Sequence, residues 1–183
     1  EVPKPFVVIA TENPIGSAGT QMLPESQLDR FYISMTIGYP EIHHEIEIMK
    51  GNQTGGLLEY VQPVISTEML ISIQEEVGNV YIHDVIYEYI AELITMTRNH
   101  PLIEVGISPR GTIALAKMTK SAAYLSGREY CIPSDVKEMF YSVSRHRIQL
   151  NSKARINHVK IDDIIEEILK KVEEPTPKRK MGK

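Results

Sequence analysis

The stretch Val7-Val8-Ile9-Ala10-Thr11-Glu12-Asn13-Pro14, followed after a short gap by Leu23-Pro24-Glu25-Ser26-Gln27-Leu28-Asp29-Arg30-Phe31, decides how this chain is read. An apolar run that stops abruptly at Thr-Glu-Asn-Pro has the pattern of a central parallel strand, buried on both faces, where it leaves its sheet. Ligands of open α/β sheets gather at such carboxyl ends. The pattern therefore predicts a buried strand that delivers Asn13 to a site. Downstream, Phe31, Ile33, Met35 and Ile37 alternate with Tyr32, Ser34, Thr36 and Gly38. That period of two predicts a second strand, closed by Tyr39-Pro40. Between them, residues 15–22 read as a polar loop, and Pro24 with Glu25, Gln27 and Leu28 as one or two helical turns.

Beyond residue 40 the chain reads mainly as helix. Ile42, Ile46 and Met49 share one stripe, and Gly51-Asn52 supplies a stop. Residues 51–65 look irregular. Ser66 or Thr67 caps a helix whose Leu70, Ile73 and Val77 share a face, ended by Gly78-Asn79. The strongest signal spans about residues 81–98, where Ile82, Val85, Ile86, Tyr89, Ile90 and Leu93 follow the i, i+3, i+4, i+7 pattern. Ser108-Pro109 opens the next helix as N-cap and first-position proline. That helix carries Leu115, Met118, Ala122 and Leu125 inward and stops at Gly127. Tyr130-Cys131-Ile132 is an extended connector. A helix from Ser134-Asp135 buries Val136, Met139, Phe140 and Val143, and one from Asp162 buries Ile165, Ile168 and Val172. The end of the chain, with two prolines and Lys178-Arg179-Lys180, reads as a flexible, solvated tail.

Composition narrows the function classes. The 183 residues are 42% hydrophobic and 24% charged, an ordinary globular balance. A net charge of −4 provides no general attraction to nucleic acid or anionic membrane. The single cysteine, Cys131, excludes an internal disulfide framework and suits a reducing cytoplasm, where it reads as a small buried hydrophobe. No run of about 18 apolar residues could span a bilayer. The histidines show neither His-x-x-x-His nor Cys–His spacing, so no metal site is expected.

The segment from Val7 to Phe31 resembles the sensor-1 strand and following segment of the MoxR family of AAA+ ATPases, in the pattern ATxNP then PExQLDRF. Gly106-Ile107-Ser108-Pro109-Arg110-Gly111, Thr97-Arg98, Ser126 to Tyr130, Ser134-Asp135-Val136 and His146-Arg147-Ile148 resemble that family's helical lid with its sensor-2 arginine. The resemblance implies a mainly α fold: a helical lid bundle preceded by the last strands of an α/β AAA+ core. Residues 1–40 would belong to the nucleotide-binding core, 41–173 to the lid and 174–183 to the tail. It also implies ATP and Mg2+ as ligands, ATP hydrolysis as the reaction, and self-association into a ring, a hexamer in the family's usual form. Chaperone-like remodelling or maturation of client complexes would be the work done, with von Willebrand factor A domain proteins among the partners. Neither Gly16-Ser17-Ala18-Gly19-Thr20 nor Gly51-Asn52-Gln53-Thr54-Gly55-Gly56 contains the Gly-Lys-Ser/Thr ending of a phosphate-cradling loop. The expectation is a carboxyl-terminal half, inactive by itself, whose phosphate loop and acidic magnesium motif belong to an amino-terminal half.

Three residues carry the implied chemistry. Asn13 would position the attacking water, a task suited to an amide that both donates and accepts hydrogen bonds; the plainer alternative is an Asn-Pro turn. Arg30 would act as an arginine finger on a neighbouring subunit's nucleotide, and in GTPases such fingers are worth about 10³–10⁵ in rate. Its plainer alternative is an Asp29–Arg30 pair capping the strand start. Arg110, in the first helical turn after Ser108-Pro109, would join unpaired backbone N–H groups in an anion site, as a sensor-2 residue does. A cation there opposes the helix dipole, which an anionic ligand would explain better than a bare surface position. Arg98 and Arg128 sit at helix ends where positive charge is favourable, and read as structural. A rival reading takes the helix–connector–helix pattern around Gly127 as half of a histone-fold-like pair, a non-catalytic module for protein or DNA interaction. Net acidity and the strand-like first 40 residues count against it.

Overall fold

The computed structural model describes residues 2–12, 23–50 and 61–176. Asn13, both glycine-containing segments and the basic run Lys178-Arg179-Lys180 lie outside the described residues. In chain order the elements are α1 (Glu25–Leu28), α2 (Ile42–Met49), α3 (Thr67–Asn79), α4 (Asp84–Asn99), β1 (Ile103–Val105), α5 (Pro109–Leu125), α6 (Pro133–Ser144), β2 (Gln149–Leu150), α7 (Ser152–Ile156) and α8 (Ile161–Lys171). The fold is mainly α, as the periodicity predicts.

Helix starts follow local capping chemistry. The Ser66 hydroxyl accepts from the Met69 amide, His83 Nδ1 from Val85, Ser108 from Gly111, and the Asn151 side chain from Ala154. At α6 the Asp135 carboxylate reaches back to accept from the Ile132 amide at 2.8 Å. Gly127, at φ +70°, lets the chain turn out of α5 while its amide and that of Arg128 bond the Tyr124 and Ala123 carbonyls.

The core lies among α4, α5, α6 and α8. Ile86, Tyr89, Ile90, Leu93 and Ile94 from α4 meet Leu115 and Ala123 from α5, Val136, Phe140 and Val143 from α6, and Ile164, Ile165 and Ile168 from α8. A small antiparallel ribbon closes one side, with Ile103 opposite Leu150 and Val105 opposite Gln149. Elsewhere Tyr81 and Tyr130 form a parallel bridge that ties the entrance of α4 to the connector after α5. Neither β1, β2 nor α7 emerges from the sequence pattern, since two or three strand residues are too few to show a period.

Several expectations need correction. Residues 7–10 form no strand and are exposed, Ile9 at 88%. A parallel strand is stable only with ladder partners beside it, and among the described residues nothing pairs with this run. The alternating segment 31–37 is also not a strand: Ile33 packs on the core and the Ser34 amide donates to the Ser142 carbonyl at 2.8 Å, while Ile37 is 98% exposed. α2 forms where expected, but no residue of it is buried. Leu125, the last residue of α5, faces outward at 84% exposure.

Truncating the fully buried Phe140 to alanine is expected to cost about 3–5 kcal/mol in urea unfolding. Ile9→Ser should stay within about 0.5 kcal/mol of the parent chain, as for other exposed positions.

Candidate functional site

The corner between α1, the start of α5 and the end of α6 is held by one buried cation. Arg147 has a side chain only 2% exposed, and a guanidinium carries five N–H donors. All five are used. Nε donates to Asp29 Oδ1 at 3.0 Å; Nη1 donates to the carbonyls of Tyr32 at 3.2 Å and of Val143; Nη2 donates to the carbonyls of Asp29 at 3.1 Å and of Phe31.

Asp29 extends the clasp to α5. Its two carboxylate oxygens share the Ser108 hydroxyl at 3.0 and 2.9 Å, while the same hydroxyl oxygen accepts from the Gly111 amide at 3.2 Å. Ser108 thus caps α5 and anchors it to the α1 corner at once. The carboxylate's charge lies at the positive end of the α5 dipole, where it is stabilised. Behind Ser108 the chain is positioned by α4: the Ile107 amide donates to Thr97 Oγ1 at 3.1 Å and the Ile107 carbonyl accepts from Arg98 Nε at 2.9 Å. Gly106 allows that approach, since a Cβ there would lie 2.7 Å from the Arg98 Cα. At Gly111 a Cβ would lie 2.5 Å from Ile107 Cγ2 and 2.8 Å from Arg147 Cδ, so the missing side chain leaves room for the arginine stem.

Burial pulls the Arg147 pKa below its ordinary value, the Asp29 carboxylate opposes that, and the nearby Arg110 charge adds to the lowering. Arginine retains its proton nonetheless. His146 is lowered as well, by burial first and by the adjacent Arg147 second. Neutral imidazole is the form that fits, with Nε2–H donating to the Phe31 carbonyl at 3.2 Å.

Arg30 and Arg110, both singled out from sequence, are exposed and flank this clasp. Arg30 follows Asp29 directly, and Arg110 is two residues past Ser108. Among the described residues neither has a carboxylate within ion-pair distance. The Asp29 carboxylate is engaged by Arg147 and Ser108, and so the Asp29–Arg30 pair is not formed. Asn13 lies outside the described residues. Arg128 forms a two-pronged pair with the buried Asp135, its Nη1 2.8 Å from Oδ2, a structural role like that of Arg98. Cys131 is buried, and desolvation raises its thiol pKa to about 11. Among the described residues no cluster of three or more His, Cys, Asp or Glu side chains could hold a metal ion. Sequence reasoning missed Arg147 as a site residue, although it continues the spacing of Val136, Phe140 and Val143, and a charge on an apolar stripe signals a buried partner.

Comparison with known proteins follows the same division. The model of the ATPase family associated with various cellular activities (AAA) matches residues 1–33, and that of the AAA lid domain matches residues 95–168. The chaperone MoxR1 of Mycobacterium tuberculosis is 32% identical over 183 aligned residues, covering 95% of this chain and 48% of that protein. The chain belongs to the MoxR-type AAA ATPase family. Another family-like relative, the uncharacterized protein YeaC of Bacillus subtilis, is 39% identical over 171 residues, covering 93% of this chain and 53% of its own length. A crystal structure of a protein from Cytophaga hutchinsonii, described as a candidate ATPase, superposes with a TM-score of 0.85 at 33% identity, covering 95% of this chain and 56% of that one. The chain spans about half the length of the curated relatives it matches. For this AAA chain the helical bundle corresponds to the lid rather than to a histone-fold pair, and Ser108, Arg110 and Arg147 all fall inside the matched lid residues.

Asp29→Asn should leave the Arg147 charge without its counter-ion and destabilise the chain by about 2–4 kcal/mol in denaturant titration. His146 should make stability depend on pH. The unfolded imidazole takes up a proton near its ordinary pKa of 6.5, the folded one only below that, so stability is lost as pH falls through this window. Between about pH 7 and 5, above most carboxylate titration, His146→Gln should flatten the slope of unfolding free energy against pH.

Proposed function

We propose that this chain is the nucleotide-sensing, carboxyl-terminal portion of a larger MoxR-like AAA ATPase, with residues 1–40 completing the nucleotide-binding core and 41–173 forming the lid. The observation that carries the reading is the pair of exposed guanidiniums, Arg30 and Arg110, flanking the Asp29–Ser108 clasp at the first turn of α5. Two cations without carboxylate partners among the described residues, beside a helix N-terminus, suit a polyphosphate.

In this reading Arg110 meets the terminal phosphate of bound ATP, Arg30 reaches a phosphate bound by a neighbouring subunit, and Asn13 orients the attacking water. The described residues offer Mg2+ no ligand cluster and contain no phosphate-cradling loop; they fit the phosphate charge but not the metal. Binding of Mg-ATP therefore rests on the remainder of the parent polypeptide. Ring assembly, as a hexamer, would bring Arg30 to its neighbour. Chaperone-like remodelling of client complexes follows the name of the mycobacterial relative, and von Willebrand factor A domain proteins are the partners the family resemblance suggests. A cytoplasmic site suits the free, buried Cys131, and among the described residues no helix is long and apolar enough to cross a membrane.

The test is ATP hydrolysis by the full-length parent. Arg110→Ala and Arg30→Ala are each expected to lower kcat by about 10²-fold or more, while the present chain alone shows no turnover. Undiminished hydrolysis by both variants, or turnover by this chain alone at the parent's rate, would overturn the reading.

A further inference from the structure

Arg30 and Arg110 lie far apart in sequence, yet one side chain grips the segments that carry both. Arg147 Nη2 donates to the carbonyls of Asp29 and Phe31, the residues on either side of Arg30. Its Nε holds the Asp29 carboxylate, which in turn binds Ser108, two residues before Arg110. The Arg147 stem runs beneath Gly111, the residue after Arg110, so closely that a Cβ would meet Cδ at 2.8 Å. The chain on both sides of Arg30 and of Arg110 is therefore held by contacts that converge on a single buried group.

We propose that Arg147 is a positioning residue that holds Arg30 and Arg110 as one rigid unit, so that a phosphate engaged by one guanidinium alters how the other engages its own. This rests on the nucleotide-sensing reading above. The energetic link is reciprocal: whatever Arg110 gains from its phosphate when Arg30 is engaged, Arg30 gains in return. If each serves a different nucleotide, the clasp ties the state of one site to that of the next. Lysine could not replace Arg147, because three donors on a point charge cannot satisfy one carboxylate and four carbonyls arranged around a planar fork.

In the full-length parent, Arg147→Lys is expected to lower kcat about tenfold with KM for ATP within about twofold of wild type. Removing Arg30 and Arg110 together in the wild-type background should lower kcat no more than about threefold beyond the worse single change, as for residues acting as a unit. In the Arg147→Lys background the two fold-changes should multiply. Arg128→Lys, which loosens the other buried arginine–carboxylate pair, is the structural control and should lower the melting temperature without altering this pattern. A second readout needs no turnover: in the present chain, amide hydrogen exchange at residues 29–33 and 110–112 should rise together in Arg147→Lys and not in Arg128→Lys. Arg147→Lys that only lowers the melting temperature, keeps wild-type kcat and leaves Arg30 and Arg110 non-additive would overturn the positioning role while sparing the ATPase reading. Exchange that rises at one of the two segments alone would overturn it too. A wild-type parent that hydrolyses no ATP would remove the reading beneath the proposal, and the proposal with it.

Discussion

A single buried guanidinium organises the corner between α1, α5 and α6. Taking a cation out of water costs several kcal/mol, and that cost is offset only when a counter-charge and a full set of acceptors surround it. Arg147 has both, one carboxylate and four backbone carbonyls contributed by the segment after α1 and by α6. Carbonyls turned inward at a corner need donors, because a buried unpaired carbonyl is itself unfavourable. The arginine and the irregular segment 29–32 therefore stabilise each other, and neither would be satisfied alone.

The surrounding residues follow from that clasp. Gly111 lacks a side chain where the arginine stem passes, and Ser108 has a hydroxyl that can donate to Asp29 while accepting from the helix. Burial, and then the charge of Arg147 beside it, lower the His146 pKa. On the far side, Thr97, Arg98 and Gly106 press the approach to Ser108 against the last turn of α4. Hydrogen bonds thus connect the bundle interior to the segments that carry the exposed Arg30 and Arg110.

Away from this corner the molecule exposes apolar sequence. Residues 7–10 have the composition of a buried strand and none of the strand neighbours it needs among the described residues, and α2 buries nothing. Both observations accompany a chain that spans about half the length of the curated relatives it matches. The helical bundle from α4 to α8, by contrast, has a dense core of its own, which the exposed segments do not enter.

Helices α3 to α6 and α8 were legible in the sequence because their causes are local: apolar spacing of three and four residues, Ser66 and Ser108 as caps, Pro109 at the first turn, Gly127 as a stop. The motifs around Arg30 and Arg110 were legible as well, being short and contiguous. Local pattern misled at residues 7–10 and 31–37, since alternation and hydrophobicity describe a strand's faces but not whether a partner strand is present to pair with it. The clasp was beyond sequence reasoning for a related reason. Arg147 and Asp29 are 118 residues apart, Ser108 and Asp29 are 79 apart, and no periodicity connects them. Sequence by itself determined which segments become helix; only the packing of the segment after α1 against α5 and α6 decided that Arg147 would be buried, because four of its five acceptors are backbone carbonyls, which every residue carries.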